Sequence, residues 1–299
     1  MSEPAPSTAA NTGAIHDIGY RHYDGPRLGA GYIRRSLFVE TLRGAYGLGR
    51  SARSKVVPLG LLALLALPAL AVGIVTGYFG FDALTIGYTE YVFGFQVAVS
   101  IFVAAQSPAV MSRDLRFRVA ALYFSRPLSR QQYVQAKFAG MAAGLFLLMA
   151  VPITLLLVGA LLAELPVSEQ LPDYLRAMAG AALDAFVLAG IGLFVAAMTP
   201  RRGLGVAAVV GVLLVLSGLQ AAVMAMAYEF GNDTFTGYTG LISPYTLVDG
   251  VVSGVLGAES SIVAEPPGVV GAAVFVVAVV LLVAACYFGL VARYRKALS

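Results

Sequence analysis

Long stretches without lysine or arginine recur along this 299-residue chain, and they constrain its fold more than any other feature. Each stretch exceeds the roughly 20 apolar residues that a helix needs to cross a bilayer. Because lipid cannot satisfy exposed backbone groups, helices are the expected spanning form. The chain is therefore predicted to be an all-α polytopic membrane protein with six transmembrane helices, at about residues 57–79, 91–111, 138–162, 177–198, 204–228 and 268–292.

The composition excludes a water-soluble domain. Charged residues make up 12% of the chain and hydrophobic types 59%, whereas soluble domains carry about 25% charged residues. Too little charge is present to cover a water-facing surface, so lipid must solvate much of the chain. Pro68 and Pro152 fall inside predicted spans, where each is expected to kink its helix without ending it.

The basic residues predict the orientation of the chain. Every lysine and arginine except Arg176 falls before the first span, in the loops after the second and fourth spans, or at the carboxyl end. Six crossings place these four segments on one face, which the positive-inside rule identifies as cytoplasmic. Both termini are therefore expected in the cytoplasm, and most acidic residues fall on the opposite side.

The segments that flank the spans differ in character. Residues 1–30 are predicted to form a partly disordered cytoplasmic tail, residues 56–293 the transmembrane domain, and residues 294–299 a cytoplasmic end. In residues 31–55 an apolar stripe repeats at helical spacing opposite arginines, which is typical of an amphipathic helix on an anionic membrane surface. We favour this interfacial helix over a solvated charge run. The stripe comprises Ile33, Leu37, Phe38, Leu42 and Tyr46.

Two loops contain helical patterns of their own. The loop after the second span has helical spacing over residues 114–124, and Ser129 is expected to cap the next helix. This loop either docks a soluble partner or packs against its own membrane domain, and its residues leave both alternatives open. The segment 229–265 contains uncharged pieces too short to span, which predicts re-entrant or interfacial helices turning at Ser243 and Pro244 rather than a free loop.

Polar residues inside the spans are the candidates for a binding site. Asp184 is the only acid within a predicted span, and such a carboxylate is costly in a membrane. We favour a structural hydrogen-bonding role for it over a cation or proton site. Gln96, Gln106 and Gln220 are neutral, and such residues more often join helices than bind substrate.

The chain lacks the residue patterns that metal binding, haem binding, hydrolysis and nucleotide binding require. The two histidines, His16 and His22, lie in the tail and Cys286 is the single cysteine, so no metal site, haem site or hydrolytic triad is expected. No P-loop is present to hold a nucleotide. The chain is not expected to be an enzyme, to carry a cofactor or to bind nucleic acid, and an ATP-driven function would need a separate ATPase.

Three segments carry a family resemblance. One is IHDIGYRHYDGPRLG, followed by an amphipathic stretch that ends in GLGRSARSKVVP. Another is the loop SRDLRFRVAALYFSRPLSRQQYVQAKF, and the third is SPYTLVDG before the last span. Together they resemble ABC transporter permeases of the type-2 exporter class, which are small six-helix subunits with a separately encoded ATPase. The resemblance covers residues 13–299, although the tail before residue 31 is longer than the family pattern.

This resemblance implies partners, a mechanism and a location. Two copies of the chain, or the chain and a paralogue, would form a path in the plasma membrane of a bacterium, with ATP and Mg bound on the ATPase subunit. Closure of the ATPase would rock the permease and export a hydrophobic or amphiphilic substrate. Residues 31–55 resemble the connecting helix, and residues 229–265 the re-entrant pair at the outer gate. The implied contacts with the ATPase are Arg113, Asp114, Leu115, Arg116 and Phe117, with Thr199, Arg201 and Arg202 as a smaller second contact.

Two other classes of function stay open. A secondary transporter would use Asp184 as a proton or cation site, but the chain shows one intramembrane acid and no clear inverted repeat. A membrane scaffold or sensor without transport activity needs only the spans and a docking loop. Co-purification of a stoichiometric ATPase would favour the transporter subunit over both alternatives.

Overall fold

The computed structural model describes residues 25, 28–111, 128–199, 201–261 and 265–296, without the side chains of Arg202 and Lys296. The predicted helix at 114–124 and the predicted coupling residues 113–117 lie outside this part of the chain. The described secondary structure is entirely helical. In chain order the helices are α1 (Ala30–Ala45), α2 (Arg53–Phe79), α3 (Tyr88–Gly94), α4 (Gln96–Val110), α5 (Arg130–Leu162), α6 (Val167–Met198), α7 (Arg202–Glu229), α8 (Asp233–Tyr238) with a following 3-10 turn (Thr239–Leu241), α9 (Pro244–Leu256) and α10 (Gly268–Lys296).

Helices α5 and α6 form the centre of the bundle. Helices α1 and α2 pack along α5, α9 and α10 pack against α6, and α4 contacts both α6 and α7. The most apolar window of α6 is 61% buried within the protein, whereas that of α7 is 17% buried. Helix α7 therefore leaves most of its surface to lipid or to another chain.

Two glycines allow helices α2 and α5 to cross in close contact. Gly73 of α2 and Gly159 of α5 face each other, and a Cβ atom on either would lie 2.6 Å from the other residue's Cα. Apolar surfaces gain little by leaving lipid, so close packing of small residues supplies much of the energy of helix association in a membrane. This crossing accordingly depends on the absence of side chains at both positions.

Helix α1 directs its predicted apolar stripe toward protein. Thr41 and Ala45 lie against Gly140 and Gly144 of α5, which are spaced one helical turn apart. The Tyr46 hydroxyl donates a hydrogen bond to the Gly144 carbonyl at 2.8 Å, and burial raises the pKa of Tyr46. The apolar stripe therefore has a protein surface to cover, whereas the position of α1 relative to lipid stays a prediction.

Several helix boundaries differ from the predicted ones. Helix α1 ends at Ala45, well before residue 55, because Gly47 and Gly49 adopt positive φ angles of 66° and 82°. Helix α6 begins at Val167, ten residues before the predicted span, since its first three turns are too polar for the bilayer core but still helical. The predicted cap at Ser129 is confirmed, because its side chain accepts a hydrogen bond from the Gln132 amide in a capping box.

The two prolines inside predicted spans do not end their helices, as predicted, and the kinks expected at them stay predictions. Pro68 lies inside α2 and Pro152 inside α5, and both helices continue through them. Tolerated prolines are common in membrane helices, where neighbouring helices compensate for the lost backbone hydrogen bond.

Charged residues separate to the two ends of the bundle. At one end, Tyr294 of α10 donates a hydrogen bond to the Met111 carbonyl at 3.3 Å, and Arg293 Nε donates to the Ala197 carbonyl. The described basic residues other than Arg176 lie toward this basic end, where Glu40 is the described acid. The opposite, acidic end contains residues such as Glu90 and Asp173. The basic segments that the positive-inside prediction grouped by their order in the chain thus also lie together at one end of the described bundle.

The helices identify a multi-pass membrane protein. Among the described residues, five helices, α2, α5, α6, α7 and α10, are long and apolar enough to span, and two bent helix pairs raise the possible total to seven. The span predicted at 91–111 falls on two helices, α3 and α4, which meet at Phe95 with a bend of 57°. Tyr91 holds α3 against α2 by donating a hydrogen bond to the Leu65 carbonyl. The count of six spans and the cytoplasmic location of the termini stay predictions.

Replacing Gly159 by valine should loosen the crossing of α2 and α5, because the new Cβ would meet the Cα of Gly73 at 2.6 Å. We expect a loss of about 1–3 kcal/mol, as for other overpacked contacts. Thermal unfolding in detergent measures this loss. The matched control is Gly60→Val on α2, which has no heavy atom within 4 Å of its added Cβ. Equal losses in both variants would contradict the proposed dependence on this contact.

Candidate functional site

Two short helices form a sharply bent hairpin at the acidic end of the bundle. Helix α8 and its 3-10 turn are followed by α9 after a bend of 120°. Asn232 caps α8 by accepting a hydrogen bond from the Phe235 amide at 2.9 Å. Ser243 precedes α9 and Pro244 occupies its first turn, where its missing N–H costs nothing. The predicted turn at these two residues is therefore present, whereas its location in the outer leaflet stays a prediction.

The turn of the hairpin is buried more deeply than its ends. Ser243 is 1% exposed and Val248 is 1% exposed, whereas Phe235 and Val255 at the outer parts of the hairpin are each more than half exposed. The Thr246 hydroxyl donates a hydrogen bond to the Gly240 carbonyl at 2.8 Å and so closes the turn internally. Backbone that leaves helical geometry at membrane depth is tolerated only where protein surrounds it.

Glycines allow α9 to pack closely against α6 and α10. Gly250 and Gly254 are one turn apart and face α10, where a Cβ at Gly250 would lie 2.4 Å from the Phe275 ring. On α6, Gly180 faces Val252 of α9, with 3.0 Å between an added Cβ and a valine methyl. The hairpin is thus held between α6 and α10 at the acidic end of the bundle.

Tyr245 joins the turn of the hairpin to α4. Its hydroxyl lies 2.6 Å from Ser100 Oγ and donates to the Gln96 carbonyl at 3.0 Å. The Ser243 hydroxyl lies 3.2 Å from Ser217 Oγ on α7. Side chains of this buried turn are therefore hydrogen-bonded to the two helices, α4 and α7, that run past it.

A cleft of about 560 Å³ lies between α7, the α3–α4 pair and this turn. It brings together Gln96 and Gln220, two of the polar residues singled out in the sequence. Gln220 is 5% exposed, and its Nε2 lies 3.3 Å from Met224 Sδ. The other lining residues are Phe93, Ser217, Ala221, Met224, Ala225, Tyr228, Glu229, Ser243 and Thr246. Gln106 is buried farther along α4 and does not line the cleft.

A second, much smaller cavity contains Asp184. Its volume is about 30 Å³, the space of one water molecule, and Asp249, Tyr245 and Ser261 also line it. Asp249 accepts hydrogen bonds from the Ser260 hydroxyl at 2.7 Å and from the Ser261 amide at 3.0 Å. Asp184 Oδ1 is buried and has no hydrogen-bond partner within the described chain. The hydrogen bonding that we favoured for Asp184 is therefore not seen at this oxygen.

Sequence reasoning singled out Asp184 but not Asp249, which falls in the segment 229–265. In the structure Asp249 is 6% exposed and lies on α9, where the fold of the hairpin brings it to the cavity that Asp184 lines. One signal was available, since Asp249 is the only charged residue between positions 234 and 258. An isolated acid in an otherwise apolar helix is expected to face protein or a polar cavity.

The predicted second contact with an ATPase lies at the basic end. The Thr199 hydroxyl donates to the Ala196 carbonyl at 3.0 Å, and Arg201 is exposed just before α7. Arg202 begins α7. A Cβ at Gly205 would lie 2.9 Å from Thr199 Oγ1 and 3.1 Å from Pro108, so this link packs closely against the end of α4.

No protein-family model matches this chain, and no curated protein matches it either. Within the described ranges, no three His, Cys, Asp or Glu side chains are grouped so that they could hold a metal ion.

Replacing Tyr245 by phenylalanine should weaken the attachment of the hairpin to α4, because the hydrogen bonds to Ser100 and Gln96 are lost while the ring remains. We expect a loss of about 1–3 kcal/mol, since buried partners are left unsatisfied. Thermal unfolding measures stability, and alkylation of a cysteine placed at Ser243 reports opening of the turn. Tyr238→Phe is the control, because no described hydrogen bond involves its hydroxyl. Unchanged stability and labelling in Tyr245→Phe would contradict the assigned role.

Proposed function

We propose that this chain is the transmembrane permease subunit of an ATP-driven ABC transporter, and that it exports a hydrophobic or amphiphilic substrate. The observation that carries the proposal is the 560 Å³ cleft between α7, the α3–α4 pair and the buried hairpin turn. Ligand sites commonly occupy about 300–1,000 Å³ and combine an apolar lining with a few placed polar groups. Phe93 and Met224 supply the apolar wall, and Gln96 and Gln220 the polar groups.

The cleft also favours assembly with a second permease. It is open on one side, and α7, which forms one wall, is the least buried of the long helices. A second copy of this chain or a paralogue facing α7 would enclose the path. The turn of the hairpin would then lie across the acidic end of that path, as expected for an outer gate.

Energy would enter at the basic end through the predicted coupling residues. The chain has no P-loop, so ATP and Mg belong on the partner ATPase. Residues 113–117 follow α4 in the sequence, and Thr199 lies near Pro108 at the same end of α4, where an added Cβ at Gly205 would meet both residues. A push on this end would act on α4, a short helix of 15 residues.

Helix α4 offers a route from that push to the gate. It has 15 residues and is about 22 Å long, and its far end contains Gln96 and Ser100, the partners of Tyr245. Displacement of α4 by the ATPase would therefore bear on the hairpin turn. Rocking of the α3–α4 pair relative to α7 would change the width of the cleft.

Purification of the tagged chain from its native membranes tests the proposal. We expect an ATPase at a stoichiometric ratio, and transport that depends on ATP after reconstitution of the complex. Phe117→Ala should reduce ATPase association or coupling, because it alters the predicted docking loop. Ala221→Trp should block transport and leave ATPase association intact, because it fills the cleft.

The matched control for the cleft is Ala222→Trp, which adds the same bulk to the next residue of α7 outside the cleft lining. It should retain ATP-dependent transport. Failure to recover any ATPase, or equal effects of the Ala221 and Ala222 variants, would count against the permease assignment.

A second candidate function rests on the small cavity. Asp184 Oδ1 lacks a described hydrogen-bond partner and shares that cavity with Asp249, as a proton or cation carrier would require. Under this alternative the purified chain alone would transport in proteoliposomes along an ion gradient, and Asp184→Asn would abolish that activity. Asp173→Asn on the same helix is the control, because Asp173 is exposed and pairs with Arg176. Absence of gradient-driven transport in the wild-type chain would exclude the alternative.

A further inference from the structure

Helix α1 has a second face that does not pack against α5. Leu37, Thr41 and Ala45 are buried against the bundle, whereas Arg35, Val39 and Arg43 point the other way at successive helical turns. A surface helix needs only one apolar face to hold it in place. The arginines of the outer face are therefore available for another role.

The turn after α1 folds back over this outer face. The Leu48 amide donates a hydrogen bond to the Arg43 carbonyl at 2.8 Å, and Gly47 and Gly49 both have positive φ. Gly47 cannot be replaced without strain, because a Cβ there would lie 2.5 Å from the Ser54 carbonyl oxygen. The fold-back places Leu48 and Arg50 beside α1.

Together the outer face and the turn enclose a groove of about 580 Å³. Three arginines line it against one acid, Glu40, so the groove is positively charged. Tyr32 is 57% exposed and Leu48 46% exposed, which gives the same groove an apolar rim. The arginines are Arg35, Arg43 and Arg50.

We infer that this groove binds the phosphate headgroup of an anionic phospholipid. A guanidinium group can donate two parallel hydrogen bonds to the oxygens of one phosphate. Basic pockets at the membrane surface bind anionic lipid headgroups. The groove lies immediately before α2, which begins at Arg53 and exposes Val56 and Val57 within its first turns. The bound phosphate would thus sit at the level where the chain enters the hydrocarbon.

The apolar rim separates a lipid from a soluble anion. A free phosphate gains nothing from Tyr32, Val39 and Leu48, whereas the first methylene groups of a lipid cover such side chains. Tyrosine is also enriched at the headgroup level of membranes. This inference stands apart from the proposed transport function, because it requires neither an ATPase nor a substrate.

Binding of phosphatidylglycerol to the purified full-length chain tests the inference. Native mass spectrometry and thermal unfolding in detergent report retained lipid and its stabilising effect, with phosphatidylcholine as the neutral comparison. We expect preferential retention of phosphatidylglycerol, and about 30-fold weaker binding in the double variant Arg35→Gln with Arg43→Gln. The matched control is Arg34→Gln, an exposed arginine of the same helix that does not line the groove.

Three results would overturn the inference. One is equal retention of phosphatidylglycerol and phosphatidylcholine by the wild-type chain. Another is equal weakening by the Arg34 variant and the double variant, which would indicate a general charge effect. The third is stabilisation by glycerol phosphate or inorganic phosphate to the same extent as by the lipid, which would identify a soluble-anion site. Unfolding of each variant without ligand shows that the fold is intact.

Discussion

Close contact between helix backbones along α5 is the interaction on which the rest of the bundle depends. Gly140 and Gly144 admit α1 near the basic end, and Gly159 admits α2 near the acidic end. Lipid is as apolar as leucine, so the bundle cannot rely on burial of apolar surface and depends on the closeness of its contacts. The same device recurs where Gly250 and Gly254 of α9 meet α10.

This close packing allows the hairpin to bury a non-helical turn inside the bundle. Its turn leaves helical geometry inside the bundle, and hydrogen bonds from Tyr245 and Thr246 satisfy groups that lipid would leave unpaired. Because the partners of Tyr245 lie on α4, the hairpin turn and the basic end are joined by one short helix. A proposed coupling route and a proposed binding cleft thus depend on the same few contacts.

Local sequence signals predicted much of this arrangement. The long apolar helices, the cap at Ser129 and the turn at Ser243 follow from hydrophobicity, side-chain hydrogen bonding and the geometry before proline. The break at Phe95 was missed because the uncharged run continues through it without a proline, whereas the contacts on either side, from Tyr91 to α2 and from Gln96 to Tyr245 of α9, join residues far apart in the chain. The end of α1 was missed because apolar spacing outweighed the glycines at 47 and 49.

The sequence alone determined that the chain is helical, apolar in long segments and basic in a few others, because hydropathy and charge act through residue type and order. It also identified Asp184 and Gln96 as polar groups in apolar surroundings. Only the tertiary structure decided that Asp184 shares a cavity with Asp249, and that Gln96 and Gln220 face one cleft. Those neighbours lie far apart in the chain, and the close approach of helices that unites them depends on three-dimensional fit, which residue order does not reveal.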